Sequence, residues 1–351
     1  MAFYNIIIGV AKGVTPEKDA IIIIPEGENM NLWGNYPEFN KSMTIVEKEI
    51  LFTIKSRQPL IKKATTALSE AGGKRLRPAL VLIAHYFGNE ENPNIHKLAA
   101  AVEVFHMATL VHDDIIDESD IRRGVITTQA KWGKGVAVFT GDFLLSKAFL
   151  NLSKYSNNKD IVNASFIAKN ICEGEIEQFD SRYKIDISLK KYLWRIKCKT
   201  AYLFSYSCWF GAIEAKANKK TTNILRRYGN YIGMAFQISD DILDFIGKEN
   251  KLGKPLGNDI KNGIYTLPVI YTLKYGGSSK RLEEILMKDH FSQEELSYIL
   301  NSVIEEGGLS YANKLLKKYI IKAKSELEKL PKNDYLPLLY KLTEMIENRE
   351  Y

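Results

Sequence analysis

Six aspartates in two matching sets constrain this chain more than any other feature of its sequence. Asp113, Asp114 and Asp117 close an apolar, alanine-rich run that begins near His96, and Asp240, Asp241 and Asp244 close another, in FQISDDILDFIG. Aspartate is a poor helix former and is seldom buried, so two copies on apolar helices are not packing accidents. Residues i and i+4 share a helix face, so Asp113 projects with Asp117 and Asp240 with Asp244, while Asp114 and Asp241 flank them. Carboxylates this close repel one another unless a cation sits between them. A fold that accepts this sequence must therefore open both helix faces onto a polar cavity. Hard oxygen ligands with room for waters and phosphates suit Mg²⁺. Arg122 and Arg123 follow the first set directly, and an arginine fork matches phosphate geometry. Acid beside base points to a metal-bridged phosphate ester or diphosphate, gripped from two sides.

The rest of the chain supplies the frame. From about Met43 the apolar residues recur with helical period. A helix through VEKEILFTIKS stops at Pro59, and LIKKATTALSEAGG ends at paired glycines. Further helices are expected at 76–87, 96–118, 141–154, 160–179, 189–213, 220–247, 265–275, 293–305, 310–330 and 335–347. No strand alternation follows residue 40, and there is no GxGxxG or P-loop. These features predict an all-α, single-domain helical bundle over residues 31–351 with a central active-site cavity. Residues 1–30 stand apart. NIIIGV and AIIIIPEG are β-branched runs that read as a short β-prone extension, a start-site artefact or a small regulatory or packing appendage.

Composition narrows the partners. The net charge of +7 has no Lys/Arg block behind it, and the aromatics do not interleave with basic residues, so the surplus fits an anionic small molecule and not nucleic acid. Three cysteines, Cys172, Cys198 and Cys208, lack CxxC spacing and cannot all pair, which suits reduced thiols in the cytoplasm. No run reads as a membrane span, and the first residues carry no signal-like pattern. Lys197, Arg226 and Arg227 read as surface charge.

GGKRLRP, from Gly72 to Pro78, opens a helix with proline in the first turn. Lys74 and Arg77 lie three apart, and the helix N-terminus adds free N–H groups to their charge. His106 lies seven residues before Asp113 on the same helical line; alone, such a histidine is a core residue.

GGKRLRP, HMATLVHDDIID, RRG, TGD at Thr140 to Asp142, GEIEQ at Gly174 to Gln178, KTA at Lys199 to Ala201, FQISDDILD and GKPLGND at Gly253 to Asp259 occur in that order. In this set the chain resembles the trans-prenyl diphosphate synthases, or polyprenyl synthetases. AKWGKG, KLGKPLGNDIKNGIYTLPVIY and the closing NREY are most similar to the catalytic component of bacterial heptaprenyl diphosphate synthase. The resemblance implies an isoprenoid synthase bundle that condenses isopentenyl diphosphate head-to-tail with an allylic diphosphate. It implies Mg²⁺, about three ions per active site, held through Asp113, Asp117 and Asp240, with all six aspartates and Lys199 catalytic. Lys74, Arg77, His106 and Arg123 become the isopentenyl diphosphate anchor. Arg122, Lys199, Thr200, Gln237 and Lys254 become the allylic diphosphate site, with Gln178 and Glu175 nearby. A homodimer, a small accessory subunit and a product handed to the membrane are further implications.

Several charged contacts, each roughly 4 kcal/mol at 4 Å and an effective dielectric of 20, are a plausible source of stabilisation for the departing diphosphate. In this family the fifth residue before the first aspartate helps set product length. Here it is Ala108, with Phe105 one turn deeper, so the expected product is a medium- or long-chain all-trans polyprenyl diphosphate near the heptaprenyl class. Geranylgeranyl or farnesyl synthesis, a terpene cyclase and a silent partner subunit are the alternatives. An intact GGKRLRP and all six aspartates argue against the last two. One departure stands out: many relatives carry a second lysine just after GxD, where this chain has Gly263-Ile264.

Overall fold

The computed structural model describes residues 33–34, 36–247, 256–288 and 290–349. The β-prone extension at 1–30 and Lys254 lie outside the described residues. The helices are α1 (Pro37–Thr53), α2 (Pro59–Glu70), α3 (Leu76–His85), α4 (Ile95–Ile116), α5 (Thr128–Trp132), α6 (Lys134–Tyr155), α7 (Asn158–Asp180), α8 (Leu189–Ile196), α9 (Tyr202–Glu214), α10 (Lys219–Ile246), α11 (Asn258–Lys261), α12 (Leu267–Tyr275), α13 (Ser279–Leu286), α14 (Gln293–Glu305), α15 (Gly308–Leu327) and α16 (Leu336–Glu347). The all-α expectation holds.

Two long helices carry the aspartates at their C-terminal ends. The first, α4, packs against α1, α3 and α6, and α10 packs against α9 and α15. The alanine run of α4 explains the close approach: Ala99, Ala100, Ala101 and Ala108 are all buried. Gly211 of α9 meets the Val81 carbonyl of α3, where a Cβ would come within 2.0 Å.

Three details differ from the sequence reading. The expected helix at 189–213 is broken by a π-helical segment, Lys197–Ala201, between α8 and α9. Gly174 of α7 faces it so closely that a Cβ would lie 2.7 Å from the Cys198 Cβ. A two-residue ladder, Ile121–Arg122 on Val125–Ile126, follows α4; it is too short to show alternation in sequence. Last, α6 begins at Lys134, and among the described residues it alone is long and apolar enough to cross a membrane by length and composition. A third of that window is packed inside the bundle, and Asp142 of the same helix pairs with His112 at 3.2 Å.

Candidate active site

The ladder after α4 delivers two arginines. Arg123 (φ 52) and Gly124 (φ 75) form its turn, both at positive φ, as a tight hairpin requires. Arg122 Nε donates to Asp114 Oδ1 at 2.6 Å. Arg123 donates to the Gly72 carbonyl, and a Cβ on Gly73 would lie 2.4 Å from its Nη1. The paired glycines after α2 therefore make room for a guanidinium as well as ending a helix.

At the start of α3, Arg75 takes φ 45 and turns inward, onto Glu47 at 2.7 Å and Glu103 at 3.0 Å. That buried anchor fixes its neighbours. Burial lowers the Arg77 guanidinium to about 10, although Glu103, Asp240 and Asp113 favour its charge. Arg77 stacks over Phe204 at 4.9 Å, and its Nε is buried without a hydrogen-bond partner. His106 is held well below its usual value by burial, then by Arg77, Arg123, Arg122 and Arg75, so it is a neutral imidazole.

The six aspartates divide into two groups. Asp114 and Asp241 are buried braces: Asp241 accepts from the Tyr192 hydroxyl at 2.6 Å and from Gln237 Nε2 at 3.1 Å. Asp113, Asp117, Asp240 and Asp244 are more open. Asp113 and Asp240 are raised by burial, partly offset for Asp113 by Lys199 and Arg122, and for Asp240 by Arg349, Lys74 and Arg77. Burial and Asp259 push Asp244 up to about 8, despite N–H groups from Asn258 at 3.1 Å and Asp259 at 3.3 Å. Two further arginines lie on the outer carboxylates: Arg182 Nη2 donates to Asp117 Oδ1 at 2.7 Å, and Arg349 pairs with Asp240. Neither was singled out from the sequence. Arg349 belongs to the closing NREY, whereas Arg182 sits in a connection with no motif around it.

From the π-helical segment come Lys199 and Thr200. Lys199 Nζ meets Glu175 Oε1 at 2.9 Å, and Thr200 donates to Gln237 Oε1 at 2.6 Å. Burial opposes the Lys199 charge, yet Asp113, Glu175 and Asp117 outweigh it and keep the ammonium protonated. Burial pushes Glu175 up to about 7, against the pull of Lys199. Gln178 is buried on the same helix. Arg227 is a partly exposed partner of Glu326, as its surface reading implied.

Two to three turns before Asp113 on α4, Val102 and Phe105 line a small apolar pocket with Leu152, Ala164, Ile167, Leu203 and Tyr206. Ala108 is buried on the same helix, and Phe105 meets Phe149 edge-to-face at 6.0 Å.

The donor set fits Mg²⁺. Among the described residues no three His, Cys, Asp or Glu side chains form a ready-made cage. What the site offers is one or two carboxylates on each side, the pattern of a hard ion that keeps waters and takes its remaining ligands from phosphate.

The pattern of the polyprenyl synthetase family matches residues 58–303, and the chain belongs to that family. Component 2 of heptaprenyl diphosphate synthase from Bacillus subtilis (strain 168) is 36% identical over 331 residues, 92% of this chain and 94% of that one. The crystal structure of heptaprenyl diphosphate synthase from Staphylococcus aureus superposes with a TM-score of 0.85 at 34% identity, covering 89% of this chain and 99% of that one. A polyprenyl synthase from Caulobacter crescentus, solved with calcium and isoprenyl diphosphate, gives 0.85 at 31% identity over 93% and 99%. The chain is accordingly a trans-polyprenyl diphosphate synthase, a transferase that joins isopentenyl diphosphate to an allylic diphosphate and makes medium- to long-chain products.

Proposed function

We propose that the chain builds a polyprenyl diphosphate near the heptaprenyl class, with the residue roles that follow. The observation that carries this reading is the polar mouth, two open carboxylate faces interleaved with Arg77, Arg122, Arg123 and Lys199, together with the apolar pocket further back along α4. Lys74, Arg77, Arg123 and His106 hold isopentenyl diphosphate. Arg122, Lys199, Thr200, Gln237 and Lys254 hold the allylic diphosphate. Asp113, Asp117 and Asp240 would hold Mg²⁺, which would supply positive charge to the diphosphate. The allylic C–O bond breaks with its electron pair leaving on diphosphate, which Lys199 and Arg122 stabilise. The double bond of isopentenyl diphosphate attacks the allylic carbon, and a proton passes to an oxygen of the departed diphosphate as the new double bond forms. The apolar walls around Phe105 keep water from the cation and receive the growing tail.

The protein acts as a homodimer in the cytoplasm, and its product passes to the membrane. Support for the dimer lies in large apolar side chains left exposed on α6 and α7, with Phe139 at 70%, Ile176 at 66% and Phe179 at 58%. A non-catalytic accessory subunit completes the enzyme, a reading that rests on the relatives named as a component. Incubating the purified chain with farnesyl diphosphate, labelled isopentenyl diphosphate and Mg²⁺ tests the reaction. Long polyprenyl product supports it; a cyclic hydrocarbon, or no product even with an accessory subunit added, overturns it.

A further inference from the structure

One arginine links the two aspartate faces at the mouth of the cavity, and neither aspartate motif contains it. The connection after α7 turns through Tyr183 at φ 59, a strained conformation for a non-glycine residue. That turn is clamped onto the segment behind the second aspartates. Tyr183 N–H donates to the Gly263 carbonyl at 2.9 Å. The Tyr183 ring lies so close to Gly263 that a Cβ there would come within 2.7 Å of it. Gly263 follows α11, whose first two N–H groups hold Asp244.

Residue 182 is thus fixed by its neighbour to the second aspartate face, while its side chain reaches the first. Arg182 Nη2 donates to Asp117 Oδ1 at 2.7 Å and to the Ile116 carbonyl at 3.3 Å. Its guanidinium also lies over Phe179, 5.5 Å from the ring centre. An arginine carries five N–H donors. With Nη2 engaged, three remain, and Nε among them is buried without a partner. The side chain of Ile264, next to Gly263, is buried and apolar.

We propose that Arg182 binds the allylic diphosphate, adding from the end of α7 a positive charge beside Asp117. With Nη2 on Asp117, the N–H groups of Nη1 are left for a phosphate oxygen, so one residue ties the leaving group to the first aspartate face. The inference rests on the prenyl-transfer reading above.

Calorimetry on the full chain with the unreactive thiolo analogue of farnesyl diphosphate tests it without turnover, alongside KM for isopentenyl diphosphate. Arg182→Gln should weaken analogue binding roughly 10- to 100-fold, the worth of one charge-assisted hydrogen bond. KM for isopentenyl diphosphate should stay within about twofold. Arg182→Lys should fall between. Unchanged analogue binding in Arg182→Gln overturns the proposal, and so does equal loss toward both substrates, which a merely structural link between helices would produce. If Arg182→Gln loses its helical circular dichroism, Arg182→Lys decides on the same ratio. Wild-type chain that binds the analogue yet elongates nothing would sink the functional reading and leave the Arg182 result standing.

Discussion

At the end of the bundle remote from the aspartates, Glu214 and Asp160 face one another, and the pair makes stability depend on pH. Glu214 ends α9, and Asp160 lies in the first turn of α7. Asn92 Nδ2 donates to Glu214 Oε2 at 2.5 Å, while Glu214 Oε1 and Asp160 Oδ2 are buried without a donor. Two such oxygens share one proton. Burial and the facing Asp160 push Glu214 up to about 7 from 4.5, and burial raises Asp160 as well. The other groups around the pair are the Tyr206 hydroxyl, 3.3 Å from the Asp160 carbonyl, and His85, whose Nε2 accepts the Asn92 N–H at 3.1 Å.

A raised acid binds more protons folded than unfolded. Its stabilisation is therefore complete below about 4.5 and is lost as pH rises through about 7. The gap would be worth roughly 3 kcal/mol for a sheltered carboxyl, but Glu214 is half-open to water, which cuts it to about 1 kcal/mol. Glu214→Gln supplies a permanent N–H toward Asp160 and removes the dependence. Melting midpoints of variant and wild type should match near pH 5, and the variant should lead by roughly 1–2 °C near pH 8.5. A difference that stays constant across that range would refute the shared proton.

Further outcomes follow from other residues. Asp113→Ala and Asp240→Ala should each lower kcat by orders of magnitude with nearly unchanged circular dichroism, since both carboxyls border an open cavity; near-normal turnover would remove that residue from the mechanism. Arg75→Ala strands Glu103 in the interior, with Glu47 beside it at the edge, and should cost about 3–5 kcal/mol in thermal or denaturant unfolding, far above an exposed arginine such as Arg227. Ala108→Phe should shorten the product and Phe105→Ala lengthen it on thin-layer analysis. An unaltered distribution in Ala108→Phe would show that α4 does not measure the chain.

The helices and both aspartate faces were legible because their signals are local: apolar period, terminating glycines, and carboxylates four residues apart. The spacing of Lys74 and Arg77 is a local signal too, and both lie near enough to Asp240 to favour its charge. What the sequence could not disclose depends on pairs brought together by tertiary packing. Nothing around Arg182 marks it, because its place depends on Tyr183 turning over a glycine some eighty residues away. Asp241 looks like its neighbours in the string, and only Tyr192, forty-nine residues earlier, makes it a brace. Period-3.6 reasoning runs straight through RIKCKT, since a π-helical turn adds a residue without changing the composition of the run.

That wide turn also says something about how the chain could change. It holds one residue more than an α-helical turn, and it is housed by the bare Cα of Gly174. Deleting any one residue from 197–201 would let the helix rewind to regular pitch. A π-turn sweeps about the same angle as an α-turn with one residue fewer, so the helix beyond it would keep its facing, and Leu203 and Tyr206 would stay in the pocket wall. What would change is local: Lys199 and Thr200, carried inside the wide turn, would lose their places beside Glu175 and Gln237. The extra residue is in that sense a separable part, able to come or go without disturbing the helices on either side of it.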